Sequence, residues 1–135
     1  MYNLLYTSSS VREANHEDLT LILQTARLNN QQMGITGMLF YSQGSFVQLL
    51  EGEEDKVKET FNKISQDPRH INIEVVIEAN AANRYFPHWQ MGFKWLEKSD
   101  LRQIETHENA DIKNYFKTSQ PYKLIKLISM SHWQQ

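Results

Sequence analysis

The feature that most constrains the fold is a pair of strand-like runs joined by a short polar turn. The runs are Ile35–Tyr41 and Ser45–Glu51, and both are rich in β-branched, aromatic and aliphatic residues. Between them lies Ser42-Gln43-Gly44, which is typical of a hairpin turn. The fold must therefore contain an antiparallel pair of strands, and the other elements have to pack around it.

Helical patterns lie on both sides of this hairpin. Asn15 is the predicted N-cap of a first helix, because acidic Glu17 and Asp18 follow it and complement free N–H groups. Its apolar positions recur at the spacing of one helix face up to a predicted end near Asn29-Asn30: Leu19, Ile22, Leu23 and Ala26. A second helix ends at Asp67-Pro68 and carries the apolar positions Val57, Phe61 and Ile64. The acidic residues Glu51, Glu53, Glu54 and Asp55 are interpreted as the charged start of this helix.

Three further strands complete the pattern. Tyr2–Ser8 is predicted as the first strand, and Trp89–Trp95 as a last short one. A half-buried strand is predicted from four alternating apolar positions, Ile71, Ile73, Val75 and Ile77. The order β-α-β-β-α-β-β predicts an α+β, ferredoxin-like sheet with two helices on one face. We expect one domain over residues 1–97 and a C-terminal extension of short helices over 98–135.

Composition excludes several classes of function. The 135 residues include no cysteine, so disulfides and thiol chemistry are absent, and the five histidines show no metal-ligand spacing. The formal net charge is −2, which gives no basic excess for nucleic acid or an anionic membrane. No apolar run approaches the roughly 18 residues of a membrane span, and the N-terminus lacks a basic signal-peptide region. A cytoplasmic protein is expected.

Polar residues occupy positions where the pattern expects apolar ones. Gln48 shares a strand face with Phe46 and Leu50, and a buried amide without partners costs about 1–3 kcal/mol. Each such residue has an ordinary explanation: Tyr6 as a core tyrosine, the Asn29-Asn30 pair as a cap, and Gln48 as a solvent-facing side chain. Together, Tyr6, Asn30 and Gln48 are able to converge on one planar heterocycle. Ile22 and Ile64, on the two helix faces, would sandwich such a ring.

These residues belong to motifs that resemble the BLUF family of blue-light sensors using flavin. The motifs occur in the family order and spacing over roughly residues 1–97: Leu5–Ser8, Asn29–Gly37, Phe46–Gly52, Asp67–His70, Arg84–Pro87 and Trp89–Phe93. The resemblance implies that FAD is the cofactor, with FMN or riboflavin as possible substitutes that share the same ring. It implies photochemistry rather than enzyme catalysis.

The resemblance also implies a role for individual residues. Tyr6 matches the electron and proton donor, and Gln48 matches the glutamine between that tyrosine and the ring. Trp89 and Met91 match the pair whose environment changes on illumination. The matched cofactor-binding positions are Ile22, Asn29, Asn30, Phe46, Gln48, Lys63, Ile64, Asp67, Arg69 and His70.

Two alternatives remain from the sequence: a ferredoxin-like ligand-binding or oligomerisation module without photochemistry, and a small flavin-dependent redox enzyme. Family members often carry a cyclase or phosphodiesterase domain, which 135 residues cannot hold beside the sensor. We therefore expect the output to pass to a downstream protein partner. The resemblance also predicts a homo-oligomer, a dimer or larger.

Overall fold

The computed structural model describes residues 1–12 and 14–96. Its elements, in chain order, are β1 (Tyr2–Ser10), α1 (His16–Met33), β2 (Thr36–Ser42), β3 (Ser45–Gly52), α2 (Glu54–Ser65), β4 (His70–Asn80) and β5 (Gly92–Trp95). The predicted C-terminal helices of 98–135 lie outside the described residues, so that extension and its boundary stay predictions. Among the described residues, no helix has the length and apolar character that a membrane crossing requires.

The five strands form one mixed sheet in the order β4-β1-β3-β2-β5. β3 pairs antiparallel with both β1 and β2, and β4 pairs antiparallel with β1. β5 covers only Gly92–Trp95 of the predicted strand Trp89–Trp95, and it adds to the free edge of β2 in parallel orientation. This arrangement confirms the predicted ferredoxin-like α+β fold, with a fifth strand beside the four that a split βαβ pattern provides.

Local sequence explains where the elements begin and end. Asn15 caps α1 through a capping box, in which its side chain accepts from the Asp18 amide while the Asp18 carboxylate accepts from the Asn15 amide. The helix runs past the predicted end near Asn29-Asn30, because Gly34 is the residue that adopts the left-handed conformation of a C-cap (φ 67°). Gln43 and Gly44 both have positive φ, which confirms the tight hairpin turn.

Apolar side chains pack on both faces of the sheet. The helix-side core comprises Tyr2, Leu4, Tyr6, Leu19, Leu23, Leu39, Phe46, Leu50 and Val57, together with the buried residues around them. The far-side core comprises Leu5, Met38, Phe40, Val47, Leu49, Phe86 and Leu96. Gln48 lies on the helix side with Phe46 and Leu50, at 4% exposure, which confirms the predicted strand register.

The prediction that four alternating apolar residues share one buried face of β4 is wrong. Ile71 and Val75 are exposed, Ile73 packs on the helix-side core, and Ile77 packs on the far-side core. The register between β1 and β4 shifts at two places, and Asn72 adopts a positive φ of 53°. Such bulges insert extra residues into one strand, so they reverse which side chains face the core.

Candidate functional site

A cavity of about 260 Å³ lies between α1 and α2, above the helix-side face of the sheet. It is where nearly all of the predicted site residues meet: Tyr6, Ile22, Asn29, Asn30, Gln48, Lys63, Ile64, Asp67, Arg69 and His70. Phe46 does not line it. That ring lies beside the cavity, 4.8 Å from the Tyr41 ring and 4.9 Å from the His70 ring, and it lines a neighbouring hollow instead.

Four lining residues were not among the predicted site residues: Thr25, Ala26, Leu39 and Thr60. The hairpin register identifies one of them, because Leu39 lies directly opposite Gln48. Thr60 precedes Ile64 by one helical turn, so the helical period is the signal that places it on the same face.

Tyr6 and Gln48 form a buried hydrogen bond at the floor of the cavity. They lie directly opposite each other on β1 and β3, and the Tyr6 hydroxyl donates to the Gln48 Oε1. Burial raises the pKa of the Tyr6 phenol, and the charge of Asp67 adds to that effect. Tyr6 therefore stays neutral and protonated, which keeps its proton available to the amide.

The other end of the Gln48 amide faces the segment before β5. Its Nε2 donates to the Met91 Sδ over 3.4 Å, and Met91 is buried in the helix-side core. Trp89 packs on the far-side core, where its ring stacks on Phe86 with centroids 5.7 Å apart. The structure thus places Met91, and not Trp89, next to Gln48.

The two asparagines at the end of α1 have different partners. Asn30 is buried and its Nδ2 donates to the Gln90 carbonyl at 2.5 Å. The Asn29 Nδ2 donates to the Thr60 Oγ1 at 3.1 Å, and the Lys63 Nζ donates to the Asn29 Oδ1 at 3.5 Å. Asn29 therefore connects the two helices, whereas Asn30 connects the cavity to the segment that carries Met91.

Charged and titratable side chains surround one end of the cavity. Arg69 pairs with Asp67 at 2.6 Å and lowers the pKa of that carboxyl group. The His70 Nδ1 lies 3.0 Å from the Ser8 Oγ, and burial lowers the pKa of the imidazole. His70 is therefore favoured in its neutral form at this end of the site.

Glu51 lies in β3, as the predicted strand Ser45–Glu51 has it, and its second interpretation as part of an acidic helix start is wrong. It is 1% exposed and accepts from the backbone amides of Tyr85 and Phe86 at 2.6 and 3.0 Å. Burial raises the pKa of its carboxyl group, although these donors and the charge of Arg84 oppose the shift. Arg84 donates to the Thr36 Oγ1 and to the Gly34 carbonyl, both at 2.8 Å. Together they tie the β4–β5 connection to β2 and β3.

The lining chemistry fits a flavin ring. Three amide side chains offer donors and acceptors at the cavity floor and wall, while Ile22 and Ile64 supply apolar surfaces from the two helices. A ring that carries carbonyl and N–H edges requires this combination of polar edge contacts and apolar faces. In the described part of the chain, no cluster of three or more His, Asp or Glu residues is able to hold a metal ion.

Comparisons with known proteins agree with this chemistry. The family model described as "Sensors of blue-light using FAD", BLUF, matches residues 1–92. The ground-state structure of BlsA superposes with a TM-score of 0.83 at 28% identity, over 99% of this chain and 91% of that one. The photoactivated adenylate cyclase subunit beta of Euglena longa is 42% identical over 84 residues, which cover 62% of this chain and 10% of that protein.

A further curated relative is the blue light- and temperature-regulated antirepressor BluF of Escherichia coli (strain K12). It is 34% identical over 110 residues, which cover 81% of this chain and 25% of the relative. The present chain thus corresponds to between a tenth and a quarter of the length of these two curated relatives. The similarity therefore concerns part of each relative and not its whole length.

Proposed function

We infer the function from the family, because the chain belongs to BLUF, the sensors of blue light using FAD. These are flavin photoreceptors, and FAD, sometimes replaced by FMN, is the family cofactor. The cyclase similarity spans a tenth of that relative, so the membership identifies a sensor and not a cyclase. We propose that this chain binds the flavin ring between Ile22 and Ile64. The observation that carries the proposal is the buried series Tyr6–Gln48–Met91 beside that cavity.

The cavity residues have distinct proposed roles. Asn30, Asn29 and Gln48 would bind the polar edge of the ring, and Lys63, Asp67, Arg69 and His70 would surround its substituted end. Phe46 supports this wall from behind, through its contact with His70. Bound flavin supplies the blue-light absorption and accepts an electron in its excited state.

The protein side of the photochemistry uses Tyr6 and Gln48. Tyr6 gives up one electron and its hydroxyl proton, and its hydrogen bond to Gln48 is the path by which that proton leaves. Gln48 then exchanges the directions of its donor and acceptor ends, since an amide offers both. Tyr6 recovers the electron and proton, so the lasting change is a rearranged hydrogen-bond network that reverses in darkness.

The rearrangement is expected to alter the 89–91 segment, which comprises Trp89, Gln90 and Met91. In the present arrangement Gln48 donates to Met91 and Asn30 donates to the Gln90 carbonyl. If Gln48 reorients, Met91 loses its partner, and Trp89 on the opposite face moves with the same backbone. BLUF domains pass signals to partner proteins, and we propose this segment as the part of the chain that transmits the signal. The homo-oligomer and the cytoplasmic location stay predictions.

Absorption spectroscopy tests the proposal. Protein purified in dim light should carry a flavin spectrum that shifts slightly to the red under blue light and recovers in darkness. Tyr6→Phe and Gln48→Leu should bind flavin but show no reversible shift. Tyr41→Phe is the matched control, because Tyr41 is also a buried strand tyrosine but does not line the cavity.

Three results would contradict the assignment. A colourless protein that refuses added flavin would restore the binding-module alternative. Bound flavin with no shift in the parent protein would favour a redox protein. A normal shift in Tyr6→Phe would remove Tyr6 from the mechanism.

A further inference from the structure

The 89–91 segment is held in place by hydrogen bonds that its three consecutive backbone carbonyls accept. The Trp89 carbonyl accepts from the Gly37 amide at 3.0 Å, and the Gln90 carbonyl accepts from the Asn30 Nδ2 at 2.5 Å. The Met91 carbonyl accepts from the Arg27 Nε at 3.0 Å. The segment itself precedes β5, so these bonds replace the ladder bonds that a strand would provide.

Two of these three donors lie on one face of α1. Arg27 and Asn30 are three residues apart, which places them side by side along the helix. Asn30 lines the cavity, whereas Arg27 does not and is half-buried beside His88, Gln90 and Met91. Arg27 therefore contacts the 89–91 segment from outside the proposed flavin site.

The hydrogen bond from Arg27 to the Met91 carbonyl also affects the position of the Gln48 amide. It fixes the backbone of Met91, the residue whose Sδ accepts from the Gln48 Nε2. With Met91 held there, the Gln48 Oε1 is directed to Tyr6. A hydrogen bond from a charged donor is worth more than a neutral one, so its loss should be measurable.

We propose that Arg27 is a positioning residue that holds Met91 against Gln48 and so stabilises the dark arrangement of the 89–91 segment. The proposal deepens the photoreceptor function and rests on it only for its consequence in light. In darkness the proposal makes a prediction that does not depend on photochemistry. When the Arg27 Nε donor is removed, the 89–91 segment should separate from α1 and β2 more often.

Two substitutions of similar length isolate that donor. Arg27→Gln keeps an N–H donor in the position of the Nε, because three carbons precede the nitrogen in both side chains. Arg27→Met fills similar space without a donor. Arginine, glutamine and methionine have similar helix propensities, so α1 itself should be little affected.

Amide hydrogen exchange of the full chain in darkness, with and without added FAD, is the direct measurement. The Gly37 amide reports the segment because it donates to Trp89, and the Ser10 amide, which donates to the Gly44 carbonyl, is the internal control. Arg27→Met should raise Gly37 exchange by about tenfold over the parent, with Arg27→Gln between the two because its donor is neutral, and with Ser10 unchanged. Equal Gly37 exchange in Arg27→Met and Arg27→Gln, whether slow or fast, would overturn the proposal.

The second measurement is dark recovery of the flavin-loaded protein after blue light. Because Arg27→Met destabilises the dark arrangement, its red-shifted state should persist several-fold longer than in Arg27→Gln, and equal recovery would count against the proposal. If no variant, including the parent, shows a red shift, the photoreceptor function fails. The Gly37 exchange result in darkness would still decide the role of Arg27.

Discussion

The two edges of the sheet are held in different ways. β4 forms one edge with eleven residues and pairs with β1 along its length, despite two register shifts. β5 forms the other with four residues, and the 89–91 segment that precedes it depends on donors from α1 and β2. The long edge therefore has many redundant contacts, whereas the short edge depends on a few individual bonds.

This difference suggests why a signal would leave at the short edge. Asn30 and Gln48, which line the cavity, both donate to the 89–91 segment. On the long edge, His70 lines the cavity. It is the first residue of β4, and it is also paired with Ser10 of β1. A change in one side-chain amide can release a hydrogen bond at the short edge without disturbing the backbone hydrogen bonds that pair β4 with β1.

The largest loss of folding stability should follow removal of the Glu51 carboxylate. Glu51→Ala leaves the part-buried amide of Tyr85 and the buried amide of Phe86 without their acceptor, which should lower the free energy of unfolding by about 3 kcal/mol. Urea unfolding measures the loss. The long-edge control is Glu78→Ala, which removes the partner of the Tyr2 hydroxyl and should cost about 1 kcal/mol. Equal losses would mean that the connection leading to the short edge depends on Glu51 no more than the long edge depends on Glu78.

A methyl group at Gly92 should be the next most disruptive change. A Cβ there would lie 2.5 Å from the Trp89 Cε3 and 2.6 Å from the Met38 Sδ. Gly92→Ala should therefore displace Trp89 and cost about 2 kcal/mol in urea unfolding, with a changed Trp fluorescence in the native state. Unchanged stability and fluorescence would show that the short edge accommodates the methyl group.

His70 should make the stability depend on pH in a predictable direction. Burial lowers its folded-state pKa, so its contribution is present above the unfolded pKa and is lost as the pH falls through the folded value. Thermal unfolding from neutral to mildly acidic pH should show a fall in stability that is weaker in His70→Gln. His88→Gln is the control, because the His88 side chain is exposed and does not line the cavity. An identical pH dependence in the parent and His70→Gln would contradict the assignment.

The smallest effect should come from the exposed side chains of the long edge. Val75 is 44% exposed, so Val75→Thr should change the free energy of unfolding by less than about 0.5 kcal/mol. The same substitution at fully buried Val47 should cost about 1–3 kcal/mol, because it buries a hydroxyl group. A large loss at Val75 would mean that β4 contributes to stability through its outward face.

Local chemistry explains why most of the fold was predictable. The turn residues fix the hairpin register, and that register places Gln48 on the helix side. The capping box at Asn15 and the apolar period of α1 bring Ile22, Asn29 and Asn30 to one cavity. Each of these signals lies in the same element as the feature that it predicts, or in the residues directly next to that element.

The features that escaped prediction depend on distant parts of the chain. The bulges of β4 arise from its pairing with β1, so alternation alone assigned Ile71 and Val75 to the wrong side. The partners of Glu51 are amides more than thirty residues away, at 2.6 and 3.0 Å. Whether Met91 or Trp89 faces Gln48 is set by the carbonyl bonds of an irregular segment, which the sequence pattern wrongly assigned to the last strand.

The most direct test of the central claim compares hydrogen exchange at the two edges in darkness and under continuous blue light, using flavin-loaded protein. The account predicts that light accelerates exchange of the Gly37 amide, which reports the 89–91 segment, while the amides that pair β4 with β1 stay unchanged. An acceleration confined to β4, or no change at Gly37 in protein that shows the red shift, would contradict the claim that the signal leaves through the short edge.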